Sequence, residues 1–284
     1  MSDLIPVDML ARQLGDPALR LLDATYLPFN PERDAKAEYR AGHIPGALFL
    51  DLATLCDPDD PLPSTVPDVA VFAKRMADLG VTRENRIVLY DNSPHATSAR
   101  AWWLMRLFGA RDVAILDGGL RAWKASGRDL EVDVGAPHPI APEATGFTTR
   151  DNAMIRFLPA MKALVANGTT QIVDARGAPR FTGAEADPRP GVAPGHMPGA
   201  RNLPYGQLLD ETGKWKSPER IATAFQAAGV DPQAPMVLTC GSGITAAGLL
   251  FGAHLLGNDT TTLYDGSWSE WGAEPDTTKA TGPA

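Results

Sequence analysis

The sequence predicts an α/β protein built from two tandem copies of one domain, each a mainly parallel sheet with helices on both faces. Short runs of Val, Ile and Leu alternate with segments of helical apolar spacing along the chain. Such alternation is typical of parallel sheets covered by helices. Four motifs also recur in the same order, roughly 150 residues apart. A chain of 284 residues is long for one domain and comfortable for two.

The repeat consists of four pairs of motifs with a nearly constant offset. The pairs are 21–24 with 172–175, 42–47 with 195–200, 87–91 with 236–240, and 116–123 with 264–271. The second pair reads GHIPGA and GHMPGA, and the fourth reads LDGGLRAW and YDGSWSEW. An ordered series of this length predicts duplication of a whole domain.

Apolar periodicity places the main elements of each copy. Strands are predicted at 20–23, 87–90 and 113–116 in the first copy, and at 171–174, 235–239 and 262–264 in the second. Helices are predicted at 70–79, 99–108, 159–166, 218–228 and 245–256. The proline-rich stretch 135–150 has no periodicity and is predicted to be a linker. We therefore expect an N-terminal domain at 1–134 and a C-terminal domain at 151–284.

Composition excludes several classes of function. The net charge is −8 and no Lys/Arg run is present, so nucleic acid is not an expected partner. Two cysteines, Cys56 and Cys240, give neither a disulfide framework nor metal-ligand spacing, and we expect no metal and no cofactor. The N-terminus lacks the pattern of a signal peptide, and the apolar runs are too short to span a bilayer. The predicted compartment is the reducing cytoplasm, without membrane association.

Cys240 is the strongest candidate for a catalytic residue. It follows a predicted buried strand and opens the loop Cys240-Gly241-Ser242-Gly243-Ile244-Thr245, which leads into an apolar helix. At such a turn the unpaired backbone N–H groups and the positive end of the helix dipole favour a thiolate, which is the nucleophilic form. The two glycines allow the loop to curl around an anion. The alternative is that Cys240 is a small buried hydrophobic residue.

The first copy provides an internal comparison. Asp91 stands at the position of Cys240 and is followed by Asn92-Ser93-Pro94-His95. Pro94 removes a backbone N–H from the loop, and a carboxylate repels anions. We therefore expect the first copy to be structural, without a nucleophile, and to form one wall of the active-site cleft.

These motifs together resemble the two-domain rhodanese-like sulfurtransferases. The likeness rests on the duplicated domain, the HIPGA and HMPGA segments, Asp174-Ala175-Arg176 and the single cysteine loop, and it runs from about Asp8 to Trp271. The loop 240–246 and the ending 264–271 are similar to the mercaptopyruvate branch, whereas the thiosulfate branch typically has basic residues directly after the cysteine.

The resemblance implies a reaction and a set of site residues. Cys240 would take sulfur from 3-mercaptopyruvate as a persulfide, release pyruvate and pass the sulfur to cyanide or to a thiol such as thioredoxin or a small thiol. The loop 240–245 would bind the persulfide, and Arg180 with Arg189 would bind the carboxylate and keto oxygen of the donor. The alternative for this pair is surface ion pairing with Glu185 and Asp187. The branch also assigns Ser242 to a proton relay with a histidine and an aspartate.

This relay cannot be carried over in full. Asp51 could supply the carboxylate, but no histidine lies between His43 and His95. Ser242 could still form a hydrogen bond with the substrate. We expect structural roles for Arg176, His43 and His196, the last two because they recur in a copy that lacks a nucleophile. Cys56 has no cationic neighbour in the sequence and is expected to be inert.

Three alternatives remain at this point. A thiosulfate:cyanide sulfurtransferase would be expected to carry cationic side chains in the loop, and residues 241–246 contain none. A cysteine phosphatase with a Cys-x5-Arg loop would need arginine at position 246, which is alanine. A non-catalytic rhodanese-like binding module would not need the intact cysteine and its glycine loop.

Overall fold

A computed structural model describes residues 3–132, 135 and 137–283, which form two compact units. The first unit contains the described residues up to Pro58, together with Val66–Asp151 and Asp210–Trp215. The second unit contains Asp59–Thr65, Asn152–Leu209 and the described residues from Lys216 onward. Each unit is centred on its own parallel sheet.

The elements of the two units follow one another in the same general order. The strands of the first unit are β1 (Leu4–Ile5), β2 (Leu19–Asp23), β3 (Leu48–Phe49), β4 (Arg86–Tyr90) and β5 (Asp112–Leu116). Its helices are α1 (Val7–Ala11), α2 (Ala35–Ala41), α3 (Val69–Asp78), α4 (Ser98–Leu107) and α5 (Gly119–Ala125). The strands of the second unit are β6 (Ile155–Arg156), β7 (Gln171–Asp174), β8 (Arg201–Asn202), β9 (Met236–Thr239) and β10 (Thr262–Tyr264). Its helices are α6 (Leu158–Asn167), α7 (Ala178–Thr182), α8 (Pro218–Ala227), α9 (Ala246–Leu255) and α10 (Ser267–Trp271).

Both sheets have five parallel strands in the same topological order. The first sheet runs β1-β5-β4-β2-β3 and the second runs β6-β10-β9-β7-β8. Each strand of the first unit therefore has a counterpart at the same place in the second. This identity of strand order confirms the predicted duplication.

The central strands are buried on both faces, which explains their continuous apolar runs. In the first sheet Val88, Ala114 and Leu116 pack in one core with residues of α1, α2 and α5. The alternate residues of the same strands, such as Leu89 and Ile115, are also buried, and α4 contacts β4 and β5. The predicted strands and long helices agree with the observed ones to within a residue or two.

The segment predicted as a linker belongs to the first unit. Its described residues include a 3-10 helix at Pro142–Thr145, and Ile140 N donates to Ala77 O at 3.0 Å. Phe147 is buried and meets Phe72 edge to face, with ring centroids 5.1 Å apart. The proline-rich segment therefore packs as part of the first unit, with a short 3-10 helix inside it.

Acidic residues end the equivalent strands β2 and β7, but their hydrogen-bond partners differ. Asp174 ends β7 and accepts a hydrogen bond at 2.7 Å from the guanidinium of Arg176. Asp23 ends β2, and Thr25 stands where Arg176 would be; its N–H and hydroxyl donate to Asp23 Oδ1 at 2.9 and 2.5 Å. Burial nevertheless raises the pKa of Asp23 to about 6, with a further contribution from the Asp91 carboxylate.

We expect Asp23→Asn to stabilise the protein at neutral and alkaline pH. An acid whose pKa rises on folding binds its proton more tightly in the folded state. The contribution of protonated Asp23 to the free energy of unfolding is therefore complete below the ordinary carboxyl pKa of 3.8, and it is lost as the pH rises through about 6. Above that pH, Asn avoids a cost of about 3 kcal/mol. Thermal unfolding midpoints of parent and variant, compared from acidic to alkaline pH, would measure the difference.

Asp174→Asn is the matched control for this prediction. It should lower the midpoint throughout the same range, because it leaves the buried Arg176 without its counter-ion. A constant difference between Asp23→Asn and the parent at every pH would contradict the assignment to Asp23.

Candidate functional site

The cysteine loop connects the central strand β9 to helix α9. Cys240 directly follows β9 and is 2% exposed, and the loop bends at Gly243, where φ is +77°. Helix α9 begins at Ala246, and its residues from Ala246 to Ala253 are buried. An apolar helix with no polar face is stable only inside the protein. The first turn of α9 is therefore held at a fixed place beyond the end of the strand.

The start of α10 holds the backbone of the cysteine loop. Trp268 N donates to Cys240 O at 2.9 Å, and Ser269 N donates to Gly241 O at 2.9 Å. The hydroxyl of Ser267 accepts a hydrogen bond from Cys240 N at 3.4 Å. The first two residues of the loop are thus fixed by a second segment that comes from the end of β10.

Two arginine side chains lie beside the loop. A Cβ atom placed on Gly241 would lie 3.3 Å from Nη2 of Arg180 and 3.3 Å from Nη2 of Arg189. The two side chains are only 18% and 22% exposed. Because Gly241 has no side chain, the guanidinium groups approach the loop backbone closely, directly after Cys240.

A single buried carboxylate holds both arginines. Arg180 Nη2 donates to Asp187 Oδ2 at 2.5 Å, and Arg189 Nη1 donates to Asp187 Oδ1 at 3.1 Å. Burial alone would raise the pKa of Asp187, but the bonds from Arg180 and from the Arg189 N–H outweigh it, and the pKa is lowered. Two positive charges facing one negative charge leave a net positive site, suited to an anion.

Part of this cationic site has no protein partner among the described residues. Nε of Arg180 is buried and forms no hydrogen bond with the residues that the structure describes. A buried donor without a partner is costly, so this Nε is available to an acceptor group of a ligand. The alternative predicted for this pair, surface ion pairing with Glu185 and Asp187, is correct only for Asp187, which binds both arginines and is buried, whereas Glu185 is exposed.

The remaining predicted site residues all lie in the loop and are buried. Ser242 is 4% exposed, Ile244 is 2% exposed and Thr245 is 8% exposed, and Thr245 directly precedes α9. The structure therefore brings together Cys240, Gly241, Arg180 and Arg189, with the rest of the loop continuing to the helix.

The three residues predicted to be structural have structural contacts. Arg176 is buried, donates to Gly195 O at 2.8 Å and lies over the ring of Trp268. His43 and His196 stack on the neighbouring rings of Tyr39 and Phe181, with centroids 4.0 and 3.8 Å apart. Each imidazole Nδ1 donates to a backbone carbonyl, that of residue 39 or 181, at 2.8 and 2.9 Å. These contacts fix the two Pro-Gly turns.

In the first unit, a carboxylate satisfies the amides of the equivalent loop. Asp91 Oδ1 accepts from Ser93 N at 3.0 Å, and Oδ2 accepts from Ser98 N, at the start of α4, at 2.7 Å. Burial raises the pKa of Asp91, although these hydrogen bonds oppose the rise. The acceptor that this loop binds is therefore part of its own chain.

The described residues contain neither a metal-binding cluster nor a membrane-spanning helix. No group of three or more His, Cys, Asp or Glu side chains among them could hold a metal ion. None of the helices in the described ranges has the length and hydropathy needed to cross a membrane. Cys56 is half-buried, and burial and the nearby Asp57 raise the pKa of its thiol.

Sequence reasoning missed two residues of the site. Asp187 was expected only as a surface ion-pair partner, and its burial depends on the tertiary structure. Ser267 was not recognised, although the repeat contains a signal for it: Gly118-Gly119 in the first copy corresponds to Gly266-Ser267 in the second. The extra hydroxyl occurs only in the copy that has the cysteine.

Fold and site together define a duplicated α/β protein in which two arginines lie beside the residue that follows a buried cysteine, on a loop that leads into a helix. Comparison with known proteins agrees: the family model of the rhodanese-like domain matches residues 6–126 and again 158–274. The chain belongs to the family of proteins with rhodanese-like domains.

Relatives and a solved structure extend this comparison. The chain is 40% identical to 3-mercaptopyruvate sulfurtransferase of Homo sapiens, over 92% of this chain and 87% of the relative. It is 37% identical to thiosulfate sulfurtransferase of Gallus gallus, over 89% and 86% of the two chains. The crystal structure of SseA from Escherichia coli, a 3-mercaptopyruvate sulfotransferase, superposes with a TM-score of 0.85 at 33% identity, covering 94% of this chain and 99% of that one.

Proposed function

We propose that this protein is a 3-mercaptopyruvate sulfurtransferase that uses Cys240 as its nucleophile. The observation that carries the proposal is the position of the Arg180 and Arg189 guanidinium groups, both within reach of Gly241, the residue after the cysteine. In 3-mercaptopyruvate the sulfur-bearing carbon is bonded to the ketone carbon, which is bonded in turn to the carboxylate. Two guanidinium groups beside the residue after the cysteine can bind both oxygen-bearing groups.

The proposed reaction has two steps. The Cys240 thiolate attacks the sulfur of 3-mercaptopyruvate, the sulfur–carbon bond breaks, and its electrons pass to the carbon, which takes up a proton to give pyruvate. Cys240 then carries a persulfide. A thiolate acceptor attacks the outer sulfur, leaves as a persulfide and restores the Cys240 thiolate. Donors for the developing enolate oxygen come from Arg180 and Arg189, and donors for the persulfide anion come from the loop amides between 241 and 245.

Ser242 has a smaller part in this proposal. Its side chain is in the loop and almost fully buried, so a hydrogen bond to the substrate or to the persulfide is its proposed role. The acceptor in the proposal is thioredoxin or a small thiol, because both supply the thiolate that the second step needs. A reducing cytoplasm is the proposed compartment, since it keeps Cys240 in the reactive form.

The alternative donor is thiosulfate, which is favoured by the 37% identity to thiosulfate sulfurtransferase of Gallus gallus. The loop composition weighs against it. Basic side chains after the cysteine would suit a doubly charged anion, but residues 241–246 have none. A side chain at 241 would also require both arginines to shift, because its Cβ would lie 3.3 Å from them.

The test is the ratio of kcat/KM for 3-mercaptopyruvate to that for thiosulfate, measured with cyanide as the common acceptor and thiocyanate as the common product. A ratio well above one is expected, because only the keto acid uses both arginines through two different oxygen-bearing groups. Pyruvate release should match thiocyanate formation with 3-mercaptopyruvate. A ratio below one would replace the proposal with the thiosulfate reaction, and no product from either donor would favour a binding module.

A further inference from the structure

The side-chain hydroxyl of Ser267 contacts the backbone of Cys240, the candidate nucleophile. Its hydroxyl accepts from Cys240 N at 3.4 Å and donates to Tyr264 O at 2.9 Å, so both ends of this short bridge are occupied. The next residue, Trp268, donates its N–H to Cys240 O at 2.9 Å. The N–H and the C=O of Cys240 are thus both bound by adjacent residues of one segment.

Ser267 adopts a backbone conformation that glycine would adopt more easily. Its φ is +50°, in the left-handed region, and the side chain is fully buried. A residue with a Cβ is strained in this region, and such strain persists only where the surroundings enforce it. An observed outlier of this kind, next to a reactive group, is evidence for a functional constraint.

The duplicated first unit shows what this position looks like without a nucleophile. The equivalent residue is Gly119, with a φ of +55°, and Leu120 N donates to Asp91 O at 3.0 Å, as Trp268 N does to Cys240 O. A Cβ on Gly119 would lie 2.3 Å from Asp91 O, so this copy has no room for a side chain there. The cysteine loop must therefore differ in shape from its counterpart in order to accommodate Ser267.

We propose that Ser267 is a positioning residue for Cys240. By binding the Cys240 N–H while Trp268 binds the carbonyl, it fixes both peptide groups of Cys240 and hence the direction of the Cα–Cβ bond. This inference rests on the proposed role of Cys240 as the nucleophile, and it adds a residue that acts through the backbone. Without the hydroxyl, the buried N–H loses its acceptor and the thiol loses its alignment with the loop amides.

The test compares Ser267→Ala and Ser267→Gly, both in a Cys56→Ser background so that Cys240 is the one thiol. Ser267→Ala removes the hydroxyl and keeps the strain, whereas Ser267→Gly removes both. We expect each variant to lower kcat for sulfur transfer about tenfold and to leave KM within about twofold, since Arg180 and Arg189 are untouched. Both variants lose the hydrogen bonds of the hydroxyl, so Ser267→Gly, which also relieves the strain, should unfold at a higher temperature than Ser267→Ala.

A second readout does not depend on the sulfur donor. Iodoacetamide alkylates the Cys240 sulfur, so the alkylation rate near neutral pH should fall about tenfold in both variants, because the thiol loses its alignment with the loop amides. Ser126→Ala is the matched control: that hydroxyl also binds a backbone group, Trp123 O at 2.6 Å, in the first unit. Its alkylation rate should equal that of the background.

The outcomes separate this inference from the proposed function. Slower alkylation together with no turnover of 3-mercaptopyruvate by any variant or by the background would support the role of Ser267 and reject the donor. Parental kcat and a parental alkylation rate in Ser267→Ala would overturn the role of Ser267. A lower unfolding temperature for Ser267→Gly than for Ser267→Ala would overturn the argument from strain.

Discussion

Cys240→Ser is expected to abolish sulfur transfer from 3-mercaptopyruvate, with a loss of about 10⁴-fold or more in kcat/KM. A serine hydroxyl is far less acidic than a thiol and cannot form a persulfide, so neither step of the reaction remains. The change is nearly isosteric at a site that is 2% exposed, and the loop should keep its hydrogen bonds to Trp268 and Ser269. Pyruvate release measures the first step alone.

Cys56→Ser is the matched control. Burial and Asp57 raise the pKa of the Cys56 thiol, which therefore stays protonated and unreactive at neutral pH. This variant should keep full activity. Mass spectrometry after treatment with the donor alone should show the gain of one sulfur atom in the parent and in Cys56→Ser, and none in Cys240→Ser. Loss of the sulfur adduct from Cys56→Ser instead would mean that the nucleophile is wrongly assigned.

Arg189→Ala is expected to lower kcat/KM for 3-mercaptopyruvate about 100-fold, and Arg180→Ala by a similar factor. Each change removes a partly buried cation that would bind an oxygen of the donor, and such charge-assisted contacts are worth about 2–5 kcal/mol. Arg189→Lys keeps the charge but loses the planar fork, so an intermediate loss is expected. Exposed Arg220, on α8 of the same unit, provides the control variant Arg220→Ala, which should behave like the parent.

An alkylation ratio isolates the recognition of charge from the reactivity of the thiol. Iodoacetate and iodoacetamide attack the same thiolate, so the ratio of their rates cancels any change in its amount. The rate with iodoacetate divided by the rate with iodoacetamide should fall in both arginine variants, because only iodoacetate carries a carboxylate for the guanidinium groups to bind. An unchanged ratio in Arg180→Ala and Arg189→Ala would show that the pair does not bind carboxylates.

The long elements could be predicted because burial on both faces is recorded in the sequence. β4, β7 and β9 each contain an unbroken run of apolar residues, β2 contains one interrupted by Arg20, and α3 and α8 show clear apolar spacing. Strands of two residues, such as β3 and β8, have no periodicity to detect. The assignment of Asp59–Thr65 to the second unit and of Asp210–Trp215 to the first depends on tertiary contacts alone.

The candidate site was also predictable only in part from the sequence. Cys240 was evident from local chemistry, since a strand, a glycine loop and a helix are contiguous in the sequence. Arg180 and Arg189 were found through the family resemblance, and their approach to Gly241 required the structure. The burial of Asp187 and the φ of Ser267 were not predictable from residue types, because serine and aspartate are usually exposed and seldom strained.

Introducing a cysteine in place of Asp91 would not by itself give the first unit a second cysteine loop. Asp91→Cys would restore the nucleophile, but it would also remove the acceptor for Ser93 N and Ser98 N. The loop would still contain Pro94, and no room exists at Gly119 for a serine like Ser267. Several simultaneous changes would be needed, each unfavourable by itself. The first unit can therefore reach a second cysteine loop only through intermediates that are less stable than the present protein.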